Sequence, residues 1–406
     1  MKKSRKLFIK ISQDRDFIIV VILIVISLFF IEEDSRAQEV AKVSLKRYMS
    51  GIYSDCPIIE EGIGSPEFEK SVKDLKKDIF LSGLLIGGRW NEMEPREGKY
   101  DFSQLDAEIT MARKSGKFYK LKISPGIYTP EWVYEAGAVR FETFVHNPNR
   151  FNYGNPVSIP LPWDPIYQDH FSRLISKLGE RYSKDSLCIA VVLSCANYLS
   201  AEMHLPRQSE DMKKWESYGN YMEKLLNIYQ KFMDEWAQSF PNQQVCLHES
   251  KPFNEKADDF IERIFIYGLN KYPHQFTFQS NGLNGRMEKT PEVVYMKYKD
   301  KLHNGFQNFA SFDNEVRQGS IEMAVLNFIR GDAEYWEGGS DPAQRKKMVT
   351  ELEEARKLGY VEYKKLLLEV GLYRKAEDDI WSIVAEQMRK DKAGRNLLES
   401  KRRTTK

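Results

Sequence analysis

Carboxyl groups that can act as nucleophiles or exchange protons follow two of the apolar runs in this sequence. Glu202 lies in one of these loops, and Asp313 and Glu315 lie in another. A surface or helix-capping position is the alternative for Glu202. For Glu315 the alternatives are an ion pair with Arg317 and a favourable charge at a helix N-terminus. The residue types alone are therefore compatible with nucleophilic or acid/base catalysis, but they do not show which carboxyl group would have which role.

Polar side chains end two further runs. His248 and Glu249 close one, and Gln279 and Asn281 close the next. Imidazole, carboxyl and amide groups exchange hydrogen bonds with hydroxyl-rich ligands such as sugars, although each of these residues can also cap a helix. Glu337 follows the last run and is a reserve candidate for a carboxylate role.

Composition excludes several classes of protein. The 406 residues carry 61 Lys and Arg against 59 Asp and Glu, a net charge of +2, so no overall field favours nucleic acid. A chain of this length buries a large core without cross-links, which excludes disordered, collagen-like and disulfide-scaffold classes. The four cysteines show no CxxC pair and are interpreted as buried thiols, with a Cys195–Cys246 bridge left open.

No motif for a metal or nucleotide cofactor is found. The histidines His146, His204 and His248 lie far apart without the spacing of metal ligands, and GxxxxGK[ST], HExxH, GxSxG and EF-hand patterns are missing from the sequence. We therefore expect neither a required metal nor a cofactor.

The N-terminus has the pattern of an export signal. A basic flank precedes the apolar residues 17–31, and Ser35-Arg36-Ala37 provides small residues at the −3 and −1 positions. Fifteen residues are short for a membrane span, so we expect a signal peptide over residues 1–37 and a periplasmic, cell-surface or secreted protein. The alternative is an uncleaved N-terminal membrane anchor.

Residues 38–358 alternate short apolar runs with amphipathic segments, which predicts an α/β protein with a (β/α)8 TIM barrel in a single domain. An open doubly wound sheet is the alternative, but GIGSPEF lacks its GxGxxG spacing. Residues 359–406 are predicted to form C-terminal helices and a basic tail. The predicted strands are residues 48–54, 79–88, 118–126, 187–195, 243–249, 275–282, 305–312 and 333–339.

A long segment, residues 126–165, follows the third predicted strand. In a barrel it lies on the C-terminal face, where active sites are built, so we expect it to cover the opening. Its aromatic side chains are expected to pack there: Trp132, Phe141, Phe144, Phe151, Tyr153 and Trp163.

Residues 87–109, GGRWNEMEPREGKYDFSQLDAEI, carry the most distinctive pattern. They resemble the segment after the second strand of clan A glycoside hydrolases, nearest to the family 42 β-galactosidases. ISPGIYTPEWV and AEYWEGGSD are similar to the family's third and eighth strands. The residues that match the main pattern are Trp90, Glu94, Pro95, Gly98, Tyr100, Asp101, Phe102, Leu105 and Asp106.

The resemblance implies a retaining glycosidase with two catalytic carboxyl groups. It places the acid/base after strand four, at Glu202, and the nucleophile after strand seven, at Glu315. The clan has adjacent Asn-Glu at strand four, whereas here Asn197 precedes Glu202 by five residues. Asn197 is still expected to bind a sugar hydroxyl.

The resemblance also implies substrate-binding residues at two strand ends. Arg89, beside Trp90, is expected to orient the nucleophile, with a surface ion pair as its alternative. Trp336 is expected to form the floor of the sugar subsite, with a core position as its alternative, and Glu337 follows it.

The sequence thus predicts an exported glycoside hydrolase that acts on oligo- or polysaccharide. The alternatives are a glycan-binding barrel without the chemistry and a structural envelope protein. A carbohydrate is the expected partner, and a membrane is involved only through an uncleaved N-terminal segment.

Overall fold

The computed structural model describes most of the chain from Tyr48 onward. The chain divides into two units, residues 1–47 and 48–406, and the first lies outside the described residues, as does the predicted signal peptide. The described residues are 48–58, 62–148, 150, 152–249, 252–253, 257–288, 293–308, 310–339, 341–373 and 375.

Eight parallel strands close into a barrel, which confirms the predicted fold class. Going around the barrel, the order is β1, β2, β3, β6, β7, β8, β9 and β10, and β10 pairs with β1. The strands are β1 (Gly51–Asp55), β2 (Leu81–Arg89), β3 (Phe118–Ser124), β6 (Cys188–Val192), β7 (Gln244–Glu249), β8 (Phe276–Leu283), β9 (His303–Asn308) and β10 (Tyr335–Glu337).

Helices follow the strands, as expected of parallel strands that need crossover connections. Three of the helices begin with the same signal, a capping Ser65, Asp164 or Asp341 followed by proline. The helices are α1 (Pro66–Lys77), α2 (Trp90–Met93), α3 (Ser103–Ser115), α4 (Glu131–Glu135), α5 (Pro165–Tyr182), α6 (Ser209–Ser217), α7 (Tyr221–Ser239), α8 (Ala257–Lys271), α9 (Val293–Tyr298), α10 (Glu315–Gln318), α11 (Ile321–Arg330) and α12 (Pro342–Glu369).

One helix boundary differs from the sequence pattern and another agrees with it. The pattern predicts a single helix over residues 217–240, but α7 begins only at Tyr221, because Gly219 and Asn220 adopt left-handed backbone angles that interrupt a helix. The pattern also predicts a helix that ends near Gly359 and further helix after it, and α12 is indeed interrupted at Gly359, whose backbone angles are non-helical.

The strands separate two apolar layers, because successive side chains point to opposite faces. Outward side chains pack against the helices in the larger cluster. The inward cluster is smaller and lies towards the N-terminal end of the barrel. It comprises Met49, Tyr53, Leu85, Ile189, Ala190, Cys246 and Tyr335. Gly83 and Gly305 leave room for the rings of Tyr53 and Tyr335, since a Cβ at either glycine would overlap a ring.

The long segment after β3 contains a hairpin, β4 (Arg140–Phe144) with β5 (Pro156–Pro160), that the sequence analysis did not predict. Phe141 stacks on Trp215 of α6 with ring centroids 3.8 Å apart. Phe144 is 54% exposed, contrary to expectation, and Phe151 lies outside the described residues. The Ile127 amide donates to the Tyr198 carbonyl, so the segment packs on the loop that follows β6.

The four cysteines are all free thiols, which answers the open question of a Cys195–Cys246 bridge. Among the described helices, none combines the length and the apolar character needed to cross a bilayer.

Candidate active site

A polar layer lies above the inward apolar cluster, towards the C-terminal opening of the barrel. Lys120, His248, Gln279 and Glu337 point inward, and each is at most 2% exposed. The strand register explains this arrangement: Lys120 pairs with Leu85 and His248 pairs with Gln279, and paired residues of parallel strands share a face. We call these four residues the inner polar layer.

Lys120 holds the inner polar layer together. Its Nζ donates to Gln279 Oε1 at 2.7 Å and to Glu337 Oε2 at 3.2 Å, and it lies 5.3 Å from the centre of the Tyr335 ring. An ammonium group inside a protein needs such partners, because the loss of hydration is costly. The ion pair with Glu337 therefore makes a buried lysine tolerable at this position.

His248 is neutral in this environment. Burial, together with the charges of Lys120 and Lys122, holds the pKa of His248 well below its usual range. Its Nε2 lies 4.0 Å from Glu337 Oε2, so this contact is not an ion pair at neutral pH. A neutral imidazole can accept or donate a hydrogen bond, which suits a hydroxyl group.

Several buried polar atoms around this layer have no hydrogen-bond partner within the described part of the chain. Buried polar atoms in proteins nearly always have a partner. Atoms that lack one at the opening of a barrel mark positions where a ligand or water can bind. They are Glu337 Oε1, His248 Nε2, Asn281 Nδ2 and Gln307 Oε1.

Two charged residues extend the site towards solvent. Lys122 lies two residues beyond Lys120 on β3 and so points into the same opening. Asp55, the last residue of β1, is open to solvent on one side and enclosed on the others. Burial and the charge of Glu337 raise the pKa of Asp55, and the charge of Lys122 opposes them.

Glu202 lies in the loop after β6, the fourth barrel strand, with its side chain 21% exposed. Its Oε2 is 3.4 Å from His204 Nδ1. Burial acts to raise the pKa of Glu202, but the hydrogen bond and charge of His204 and the charges of Lys122 and Arg150 lower it below the usual range. Glu202 is therefore ionised at neutral pH.

Asn197 shapes this loop. Its Oδ1 accepts from the Cys195 amide at 2.8 Å, and its Nδ2 donates to the Glu202 carbonyl at 2.6 Å. The predicted contact of Asn197 with a sugar stays untested, and the observed contacts give its side chain a role in positioning Glu202.

The second predicted catalytic residue, Glu315, begins α10 after the seventh barrel strand. Its side chain lies outside the described part, so its catalytic role stays a prediction. The neighbouring Asp313 is exposed and accepts hydrogen bonds from Ser311 Oγ at 2.8 Å and Gln344 Nε2 at 2.6 Å.

Arg89 does not lie against a candidate nucleophile in the described site. Its side chain is 54% exposed, its Nη1 pairs with Glu92 at 2.8 Å, and its guanidinium lies over the ring of Tyr128. The surface ion pair, which was the alternative to an orienting role, is what the structure shows.

The two tryptophans expected at the sugar site lie in the core instead. Trp90 is fully buried, and its Nε1 donates to Glu94 Oε2 at 2.9 Å. Trp336 is 1% exposed and stacks on Phe328 with centroids 5.0 Å apart. Because Tyr335 and Glu337 point inward, the residue between them must point outward.

Sequence reasoning missed four residues that line the opening: Asp55, Lys120, Lys122 and Gln307. A signal was available for the two lysines. They occupy alternate positions in FYKLKIS, an otherwise apolar strand, so they had to share one face. In the described residues, no group of three or more His, Cys, Asp or Glu side chains is arranged to hold a metal ion.

Solved structures with a similar arrangement are β-galactosidases and a glycoceramidase. The β-galactosidase from Rahnella sp. R3 has a TM-score of 0.44 at 11% identity, covering 76% of this chain and 56% of that one. The enzyme from Marinomonas ef1 has a TM-score of 0.45 at 11% identity, covering 81% and 61%. For endo-glycoceramidase II from Rhodococcus sp. the TM-score is 0.44 at 12% identity, covering 73% and 74%.

This chain thus spans less than two thirds of the length of either β-galactosidase. No curated protein matches it. Residues 85–245, less than half of the chain, match the family model of glycoside hydrolase family 42, described as beta-galactosidase. This match includes the segment around Trp90 and confirms that the chain resembles the family 42 glycoside hydrolases of clan A.

Proposed function

We propose that this protein is an exported glycoside hydrolase that cleaves O-glycosidic bonds of an oligo- or polysaccharide with retention of configuration. The observation that carries the proposal is the position of Glu202, which lies after the fourth barrel strand beside the Lys122 charge. The family match over residues 85–245 and the unpartnered polar atoms at the opening support it.

The reaction needs two carboxyl groups about 5–5.5 Å apart, one ionised and one protonated at the start. The ionised group attacks the anomeric carbon while the protonated one gives its proton to the departing oxygen. The first step leaves the sugar bound covalently to the attacking carboxyl group. The second group, now ionised, then removes a proton from water as the water oxygen attacks the anomeric carbon, and the bond between sugar and enzyme breaks to release the sugar and the first carboxylate. Glu202 supplies one group in this proposal, and Glu315 supplies the other.

The ionisation of Glu202 bears on its role. A lowered pKa keeps Glu202 ionised, which is the state that a nucleophile needs. The acid/base role inferred from the resemblance requires a protonated carboxyl group instead, so a bound substrate would have to raise that pKa. The inner polar layer and Asn281 would bind the hydroxyl groups of the sugar in either case.

The test is hydrolysis of a panel of nitrophenyl glycosides in both anomeric forms by the wild type and by Glu202→Gln. Removing a catalytic carboxyl should lower kcat/KM by about 10²–10⁴-fold. Glu180→Gln, the same change at an exposed ion pair on α5, is the matched control and should leave activity unchanged. If Glu202→Gln retains wild-type activity on a hydrolysed substrate, Glu202 is not catalytic.

Glu315 is tested by the same comparison with its neighbour. Glu315→Gln should abolish hydrolysis while binding survives, and Asp313→Asn should be milder. If Asp313→Asn is inactive and Glu315→Gln is active, the two roles are reversed.

A glycan-binding barrel without hydrolysis is the second candidate, and one observation favours it. Asn197 is followed by Tyr198, where the clan has its acid, and β9 ends in the amides Gln307 and Asn308. The two candidates separate on the same panel: the second predicts binding of glycans with no turnover of any glycoside.

Export is part of the proposal and rests on residues 1–37. N-terminal sequencing of exported protein should find a start near Gln38. Membrane-bound protein that retains Met1 would support the anchor instead.

A further inference from the structure

Lys122 is the cation in the barrel opening whose role the proposed reaction leaves open. It points inward one layer above Lys120, and it is half-buried. Lys120 is neutralised by Glu337 at 3.2 Å. For Lys122, in contrast, no hydrogen bond or ion pair exists within the described residues.

Lys122 lies two residues beyond the inward-facing Lys120 on β3, so its side chain also points into the opening. Its charge acts on Asp55 at the end of β1, on Glu202 after β6 and on His248 at the end of β7. These residues approach from different sides of the barrel. An ammonium group in this position, with no hydrogen bond to any described residue, is placed to contact a ligand that enters the opening.

Basic groups act on the Glu202 carboxylate from more than one residue. His204 lies 3.4 Å from it, and the charges of Lys122 and Arg150 also lower its pKa. The deeper pair, Lys120 with Glu337, is balanced and contributes little net charge. Lys122 has no ion-pair partner among the described residues, so its charge is available to attract an anionic group of a ligand.

We propose that the site takes sugars that carry an anionic group, a carboxylate or a sulfate ester, and that Lys122 binds this group directly. The ammonium group would donate charge-assisted hydrogen bonds to the anionic oxygens, which are stronger than bonds to a neutral hydroxyl. The kinetic test of this inference rests on the proposed function, because it needs a hydrolysed substrate. The binding test does not need hydrolysis.

The kinetic test compares matched pairs of nitrophenyl glycosides that differ only in charge. The pairs are glucuronide with glucoside, galacturonide with galactoside, and galactoside 6-sulfate with galactoside. We expect kcat/KM for the charged member of at least one pair to be about tenfold higher or more. Preference for a uronide or for the sulfate ester identifies the anion.

Variants of Lys122 test its part in this preference. Lys122→Met should remove the preference, measured as the ratio of kcat/KM for the charged member to that for the neutral member, and Lys122→Arg should restore most of this ratio. Lys177→Met, on the exposed face of α5, is the matched control and should behave as the wild type. The proposal would be overturned if Lys122→Met lowered kcat/KM equally for both members of a pair, or if the wild type preferred the neutral members.

The binding test does not depend on catalysis. Saturation-transfer NMR of the wild type with galacturonate, galactose 6-sulfate and galactose should show stronger binding of a charged sugar, and Lys122→Met should abolish the difference. If no glycoside is hydrolysed but this pattern is found, the proposed function fails and the inference stands. If galactose binds as well as both charged sugars, the inference fails whatever the enzyme does.

Discussion

Residues packed between the barrel and its helices differ from those that face the barrel centre. Trp90 of α2 and the outward-facing Trp336 of β10 are buried in the core and bond to neighbouring side chains. On the inner face Lys120 and Glu337 form a buried ion pair beside polar atoms that have no described partner. The two tryptophans therefore belong to the scaffold, whereas the unpartnered polar groups point to the centre of the barrel.

The motif around Trp90 shows this division most clearly. Glu94 accepts from Trp90 Nε1 and from the Gly98 amide, both at 2.9 Å, and its backbone carbonyl accepts from Trp132 Nε1 at 2.9 Å. The carboxyl group is 2% exposed and fully used in these contacts. The conspicuous sequence pattern after β2 therefore serves to hold the loop around Glu94 in place.

The largest expected effect concerns the inner face. Glu337→Ala leaves the Lys120 ammonium buried without its counter-charge, which should lower the free energy of unfolding by about 3–5 kcal/mol. Urea denaturation of the purified protein measures this change. The double variant Lys120→Met with Glu337→Met should recover most of the loss, because an apolar pair needs no compensation.

A loss of less than about 1 kcal/mol in Glu337→Ala would contradict the claim that Lys120 is charged and buried. If the double variant were as unstable as the single one, the loss of stability would come from altered packing and not from the unpaired charge.

The next effect concerns Glu108 of α3, outside the barrel strands. Burial raises the pKa of Glu108 to about 7 from 4.5. The folded protein therefore holds this proton over a pH range in which the unfolded chain has lost it, and stability falls as pH rises from about 4.5 to about 7. Glu108→Gln should thus be more stable than the wild type by about 1–3 kcal/mol at pH 8 and should show no gain at pH 4.

Urea denaturation of both proteins at pH 4 and pH 8 measures this difference. Glu97→Gln, at an exposed ion pair, is a control that should show little pH dependence of its own. The same gain at both pH values would mean that the Glu108 proton is not involved.

An effect of similar size on stability, with none expected on activity, concerns Trp90 of α2. Trp90→Phe keeps an aromatic ring in the core but leaves one oxygen of the buried Glu94 carboxyl without its donor, which should cost about 1–3 kcal/mol. Because Trp90 does not reach the opening, kcat/KM of the folded variant should stay within about threefold of the wild type. A loss of activity without a loss of stability would indicate that Trp90 contacts the sugar after all.

The sequence was sufficient for the fold and for part of the site. Each barrel strand was predicted correctly because a short apolar run between amphipathic segments is typical of a buried strand in an α/β protein. The hairpin of β4 and β5 was missed because PVSIP contains two prolines and RFETF alternates with charged residues, so neither looked like a strand.

The site required more than sequence periodicity. In the three-residue strand YWE either the tryptophan or its two neighbours can face inward, and only the register with β9 and β1 decides. Lys120 and Lys122 share one face by their spacing alone, but which face is inward depends on the pairing of β3 with β2. The position of Glu202 depends on Asn197 and the loop that it closes, which no periodic pattern predicts.

In the proposed mechanism two carboxyl groups at the barrel opening hydrolyse a glycoside through a covalent intermediate. The most direct test is a ¹H NMR time course of the first-formed sugar, recorded during rapid hydrolysis of the best nitrophenyl glycoside. We expect the sugar to appear first with the anomeric configuration of the substrate and to equilibrate later. A first product of the opposite configuration, or no hydrolysis of any glycoside, would contradict this mechanism.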